Sequence, residues 1–147
     1  MDAGHVFLLV ETAATIFMSG VLWTMQVLNY PLFGLVGSDA FIGYEAAHNR
    51  RFGLVVVPGV IAALVGTIGL LASRPSQVPV WAPVCVLALV VVVVLSTAFL
   101  QARHHSALTH GFDARILRSL VRSNWIRVTA WSAAAVLALW MCHLAFA

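Results

Sequence analysis

Lysine is absent from this 147-residue chain, and acidic residues are almost so, with five aspartates and glutamates in all. Charged residues make up 9% of the sequence and apolar ones 62%, where a water-soluble domain carries roughly 25% and 45–50%. That shortage excludes a soluble enzyme and a disordered chain. Cysteine is scarce too: Cys85 and Cys142 stand alone, which excludes a disulfide-built secreted scaffold and offers no metal-motif spacing. Two isolated thiols in apolar runs read as packing, although both fall near the same ends of their spans, where a disulfide is geometrically conceivable. With roughly 20 residues per crossing of the bilayer, the chain accommodates four spans, read as one transmembrane domain over residues 1–147. Chemistry or binding must therefore use side chains within a helix bundle or at its rims.

What charge there is has a pattern. Arg50, Arg51, Arg103, Arg115, Arg118, Arg122 and Arg127 fall in two segments, leaving only Arg74 elsewhere. This is the positive-inside signal of a multi-pass membrane protein, not a nucleic-acid-binding face. It predicts a bacterial-type inner (cytoplasmic) membrane location, with the basic loops in the cytoplasm and both termini outside.

Apolar runs extend from about Val6 to Leu28, Phe52 to Ala72, Val80 to Leu100, and Trp125 to Phe146. Pro31 is expected to stop or kink the first helix. With no arginine before it and Glu11 within it, the first run does not read as a cleavable signal peptide. Residues 38–51 and the stretch from Asp113 onward read as basic amphipathic extensions of the second and fourth helices, the latter capped by Asp113. The fold class expected is all-α: an integral membrane four-helix bundle, up-down-up-down. Gly59, Ala63 and Gly66 suit close helix contact in lipid, within the bundle or in a homo-oligomer.

Within the first span Glu11, Thr15, Met18, Ser19, Leu22, Gln26 and Asn29 recur at three- and four-residue steps, so one polar stripe must face protein or a cavity. A carboxylate there costs at least about 2.5 kcal/mol unless paired or protonated, which makes Glu11 a candidate acid. Toward the arginine-rich end polar residues from all four helices converge: Gln26, Asn29 and Tyr30; Tyr44, Glu45 and His48; Gln101 with His104 and neighbouring His105; Asn124 and Arg127. A carboxylate beside histidines suits general acid–base work. In that reading Glu45 is proton donor or base, His48 and His104 are its partners, Asn124 and Gln101 orient, and Arg127 is an electrostatic anchor. Trp23 and Trp131 would wall the cavity, with Gln26, Asn29, Tyr30 and Tyr44 also lining the substrate. Two other readings stay open. Glu45-x-x-His48 facing Gln101-x-x-His104 is a ligand arrangement for a metal ion or haem near His48 and His104. Alternatively, the cluster caps helices and binds lipid head groups.

The segment Gln26-Val27-Leu28-Asn29-Tyr30-Pro31-Leu32-Phe33, followed by Phe41, Tyr44-Glu45, His48 and Arg51, resembles a group of small, uncharacterised bacterial proteins with four transmembrane helices. So do Gln101, His104, Leu108, Gly111-Phe112-Asp113, Leu120-Val121, Asn124-Trp125 and Arg127. In size and layout the chain is also similar to the anthrone-oxygenase-like membrane family, a likeness that implies an oxidoreductase acting on aromatic polyketides. Transmembrane terpene cyclases supply a mechanistic analogy, protonating a hydrophobic substrate inside a helix bundle. Together these readings predict a membrane-embedded enzyme of cyclase or isomerase type, using no cofactor, on a lipophilic isoprenoid- or polyketide-like molecule. A lipid-binding or assembly subunit is the non-enzymatic alternative, and it predicts a closed core with no cavity near Glu45.

Overall fold

The computed structural model describes residues 2–147. They form four long helices and, among the described residues, no strand: α1 (Ala3–Phe33), α2 (Ser38–Ala72), α3 (Trp81–Leu108) and α4 (Ala114–Phe146). Each is long and apolar enough to cross a membrane, so the expected four-helix bundle of a multi-pass membrane protein is the observed fold. Asp2 caps α1 by accepting the His5 N–H at 3.0 Å. Asp113 caps α4 by accepting from Arg115 and Ile116 at 2.6 and 3.2 Å. Those N–H donations hold the exposed Asp113 carboxyl below the usual carboxylate range.

The helices follow one another around a ring in which α1 packs on α2 and α4, and α4 on α3, while the α2–α3 seam is the sparsest. The α1–α2 contact depends on missing side chains. A Cβ on Gly66 would lie 2.8 Å from the Glu11 backbone nitrogen, and one on Gly59 would run into Met18 Sδ. The small-residue face of α2 is thus used inside the bundle, against α1. Pro31 does not end α1. The helix widens into a π turn over Met25–Asn29, with the Tyr30 N–H reaching back to the Met25 carbonyl, and then continues to Phe33. A proline has no N–H to give and crowds the carbonyl four residues back; a wider turn just before it absorbs both effects. A second π turn, Thr97–Gln101, carries α3 past its expected end at Leu100 to Leu108.

At the end near Asp2, Trp81 and Trp140 stack with centroids 5.3 Å apart. Cys85 and Cys142 are free thiols there, and Cys142 Sγ lies 3.1 Å from Thr12 Oγ1.

Candidate functional site

Both π turns lie at the level where the bundle is most polar, and each delivers a buried glutamine, Gln26 from α1 and Gln101 from α3. A π turn rotates everything after it relative to a regular helix, and such turns concentrate at functional sites. Around them runs a hydrogen-bond chain with members from all four helices. Glu45 Oε1 of α2, fully buried, faces His105 Nδ1 of α3 at 2.5 Å and accepts from Asn49 Nδ2 at 3.1 Å. With the carboxylate ionised, the His105 proton sits on Nδ1, leaving Nε2 with a lone pair. Nε2 lies 3.4 Å from the Tyr30 hydroxyl, which accepts from Arg127 Nη2 at 3.1 Å. Arg127 also donates from Nε and Nη2 to Asn124 Oδ1, at 2.9 and 2.5 Å. Asn124 Nδ2 in turn donates to Gln26 Oε1 at 2.8 Å, and Gln26 Nε2 donates to the Val121 carbonyl at 3.2 Å. From Arg127 through Tyr30 and His105, every donor points toward Glu45.

The histidine that meets Glu45 is His105, in place of His104. No hydrogen bond or ion pair joins His104 to Glu45, and His104 Nδ1 is buried without a partner among the described residues. Counting from Gln101, the structure takes the four-residue step and not the three-residue one. His48 also makes no bond to Glu45. It sits in an aromatic cage, with ring centroids 4.9 Å from Phe33, 5.4 Å from Phe52 and 5.7 Å from His105, and its Nε2 is unpartnered. Tyr44 stacks on its far side, and His48, Tyr44 and Asn29 line a shallow cleft between α1 and α2. Gln101 accepts from Ser96 Oγ and donates to Ser123 Oγ, holding α3 to α4 away from Glu45. Glu11 stands apart from the cluster. It is fully buried, accepts from Thr67 Oγ1 at 2.7 Å, and has an unpartnered Oε1.

The two tryptophans separate. Trp131 is fully buried and forms part of a cavity wall. Trp23 is 44% exposed on the outer face, edge-on to Trp125 and donating to Ser132 Oγ at 3.0 Å, so it walls no cavity near the cluster.

That cavity is a groove along the loose α2–α3 seam. Its upper part, about 340 Å³, is lined by apolar side chains including Met18, Leu22, Val60, Ile61, Val93 and Trp131. Its lower part, about 460 Å³, reaches Asn49, Gln101 and His105. Both parts share Val56, Val57, Thr97, Ala102 and Arg127. Each volume suits a small ligand. The groove exists where neither wall is a regular helix: Pro58 interrupts the hydrogen-bond ladder of α2, and the Thr97–Gln101 π turn swells α3. Nothing in the spacing of the sequence announced either π turn, and without them the inward register of His105 was not legible.

Among the described residues no group of three or more His, Cys, Asp or Glu is arranged to hold a metal ion. The groove is lined by one imidazole backed by a carboxylate, one guanidinium, two amides, the hydroxyls of Thr97, Ser106 and Thr109, and a hydrophobic wall, a set able to transfer protons. No protein family, no curated protein and no solved structure matches the chain.

Proposed function

We propose that the protein is a membrane-embedded enzyme that takes a lipophilic small molecule from the bilayer through the α2–α3 groove and rearranges it by proton transfer, as an isomerase or cyclase. The observation that carries this reading is the Glu45–His105 pair at 2.5 Å beside that groove, with His105 among the lining residues. Glu45 fixes the tautomer and orientation of His105 and stabilises the imidazolium formed when Nε2 takes a proton; Tyr30 and Asn49 hold the pair in place. A lipid-binding or assembly subunit needs no such groove beside a buried carboxylate–imidazole pair. The arginine-rich end, with Arg50, Arg51, Arg103, Arg115, Arg118 and Arg122, faces the cytoplasm in this reading, in an inner membrane.

Because a proton-transfer enzyme marks its substrate in deuterated water, the substrate need not be known in advance. The purified protein in lipid nanodiscs is incubated in D2O with a total lipid extract of its native cells and the extract is analysed by mass spectrometry. The expected result is deuterium in one lipophilic species with wild type and none with His105→Gln. An extract in which wild type labels nothing beyond the empty-nanodisc control sinks the proposal.

A further inference from the structure

Arg127 is the one buried arginine that faces the groove, and its company is unusual for a cation in a membrane. It is 4% exposed, its hydrogen bonds go only to the neutral Asn124 and Tyr30, and among the described residues no carboxylate lies within 4.0 Å of it. Its Nη1 makes no hydrogen bond, yet it is absent from the nitrogens sealed off without a partner. Arg127 lines both parts of the groove, so the uncommitted nitrogen has the groove to face. A guanidinium held this way by Asn124 and Tyr30 cannot relax toward a protein anion; its charge is available, already oriented, to whatever enters.

We infer that Arg127 is an oxyanion-binding residue, and that the substrate class is a lipophilic carbonyl compound, a ketone or enone, whose oxygen it holds while His105 removes the neighbouring proton. The inference rests on the acid–base reading above and names its substrate. Three features select this chemistry. One guanidinium with one free nitrogen matches a single partly charged oxygen, whereas a diphosphate would call for several cations, and the other arginines lie outside the groove lining. The Tyr30 hydroxyl lies 3.1 Å from Arg127 Nη2 and 3.4 Å from His105 Nε2, so oxyanion donor and base stand one hydroxyl apart; when substrate enters, that hydroxyl turns away from Nε2 and leaves its lone pair to the proton on the α-carbon. The apolar upper groove accepts the hydrocarbon remainder.

The step balances without an oxidant. The C–H bond α to the carbonyl breaks; its electron pair becomes the enolate C=C bond while the carbonyl π pair moves onto the oxygen facing Arg127. The proton passes to His105 Nε2, and the imidazolium is held by Glu45. The proton on the imidazolium exchanges with water, and delivery of a proton from His105 Nε2 to another carbon of the conjugated enolate gives the isomer, carries the solvent's isotope and restores both residues. Charge at the oxygen is greatest in the enolate and builds toward it in the transition states on either side, so the fixed guanidinium lowers both barriers.

An enolate is mimicked by a phenolate, so the test uses 4-octyl-2-nitrophenol, whose ionisation is read from its visible absorbance. In nanodiscs containing the wild-type protein the bound probe is expected to ionise about one pH unit or more below its value in empty nanodiscs, as beside an opposite charge. Val57→Trp, which fills the groove from its lipid-exposed side, is expected to remove the shift, and Arg127→Lys to reduce it. A probe that fails to bind, ionises no more readily than in empty nanodiscs, or keeps its shift in Val57→Trp overturns the assignment of Arg127. Deuterium labelling without a phenolate shift therefore removes Arg127 and the carbonyl class but leaves the proton-transfer reading. A phenolate shift with no labelling leaves an anion site and removes the enolisation step.

Discussion

Replacing Glu45 with glutamine separates chemistry from architecture more cleanly than any other single change in the molecule. The side chain keeps its size, its oxygen can still accept from His105 Nδ1 and Asn49, and only the charge is lost. In the folded protein Glu45 has one oxygen engaged by His105 at 2.5 Å and by Asn49, and the other, Oε2, buried with no partner. A hydrogen bond to a charged group contributes about 1.5–3 kcal/mol against about 0.5–1.5 for a neutral one, so the exchange loses on the order of 1 kcal/mol from that bond. Relief of a buried, half-partnered carboxylate offsets much of this, and the unfolding free energy should move by no more than about 1 kcal/mol. Turnover should fall by roughly 10²–10⁴, because the imidazolium loses its counter-charge in the transition state. Glu45→Ala should do both kinds of damage, since it also leaves His105 Nδ1 without an acceptor, which costs about 1–3 kcal/mol. The assay is the deuterium-labelling rate alongside thermal unfolding in the same detergent. If Glu45→Gln labels at the wild-type rate while remaining folded, the carboxylate is structural and the dyad argument is wrong.

Gly66→Ala should destabilise the bundle by about 1–3 kcal/mol, because the new methyl meets Glu11 backbone atoms at 2.8 and 2.9 Å and the α1–α2 pair has to separate; unchanged unfolding would contradict the close approach. The depressed pKa of Asp113 implies that its cap stabilises α4 above the unfolded value near 3.8 and that this contribution is lost as pH falls through the folded value. The acid side of a stability–pH profile should therefore flatten in Asp113→Ala and stay steep in wild type. Ser76→Cys and His110→Cys, each in a Cys85→Ser, Cys142→Ser background, should react with an impermeant maleimide from opposite sides of the membrane, the cysteine at position 110 from the cytoplasm. Labelling of both from one side would refute the topology.

Much of the architecture was legible because it follows from composition and punctuation. The apolar runs, the Asp113 cap and the convergence of Gln26, Tyr30, Glu45, Asn124 and Arg127 at one level all follow from helical periodicity, and the structure joins the last five into one network. The identity of the histidine did not follow. His104 and His105 are three and four residues from Gln101, and either step keeps a side chain near the same face; the π turn and the aromatic cage around His48 select His105. Of the stop or kink expected at Pro31, the stop does not occur, because the wide turn before it absorbs the proline's local preference to end a helix. Trp23 shows the limit of reading depth as burial: its position in the span says nothing about which side of α1 faces lipid.

In the proposed reaction His105, oriented by Glu45, moves a proton on a lipophile held in the α2–α3 groove. The measurement that bears on it most directly is the deuterium-labelling rate of His105→Gln and His104→Gln in parallel, each checked for folding. His104→Gln is expected to label within a few-fold of wild type and His105→Gln to lose about 10² or more. Loss of labelling in His104→Gln with retention in His105→Gln would contradict it.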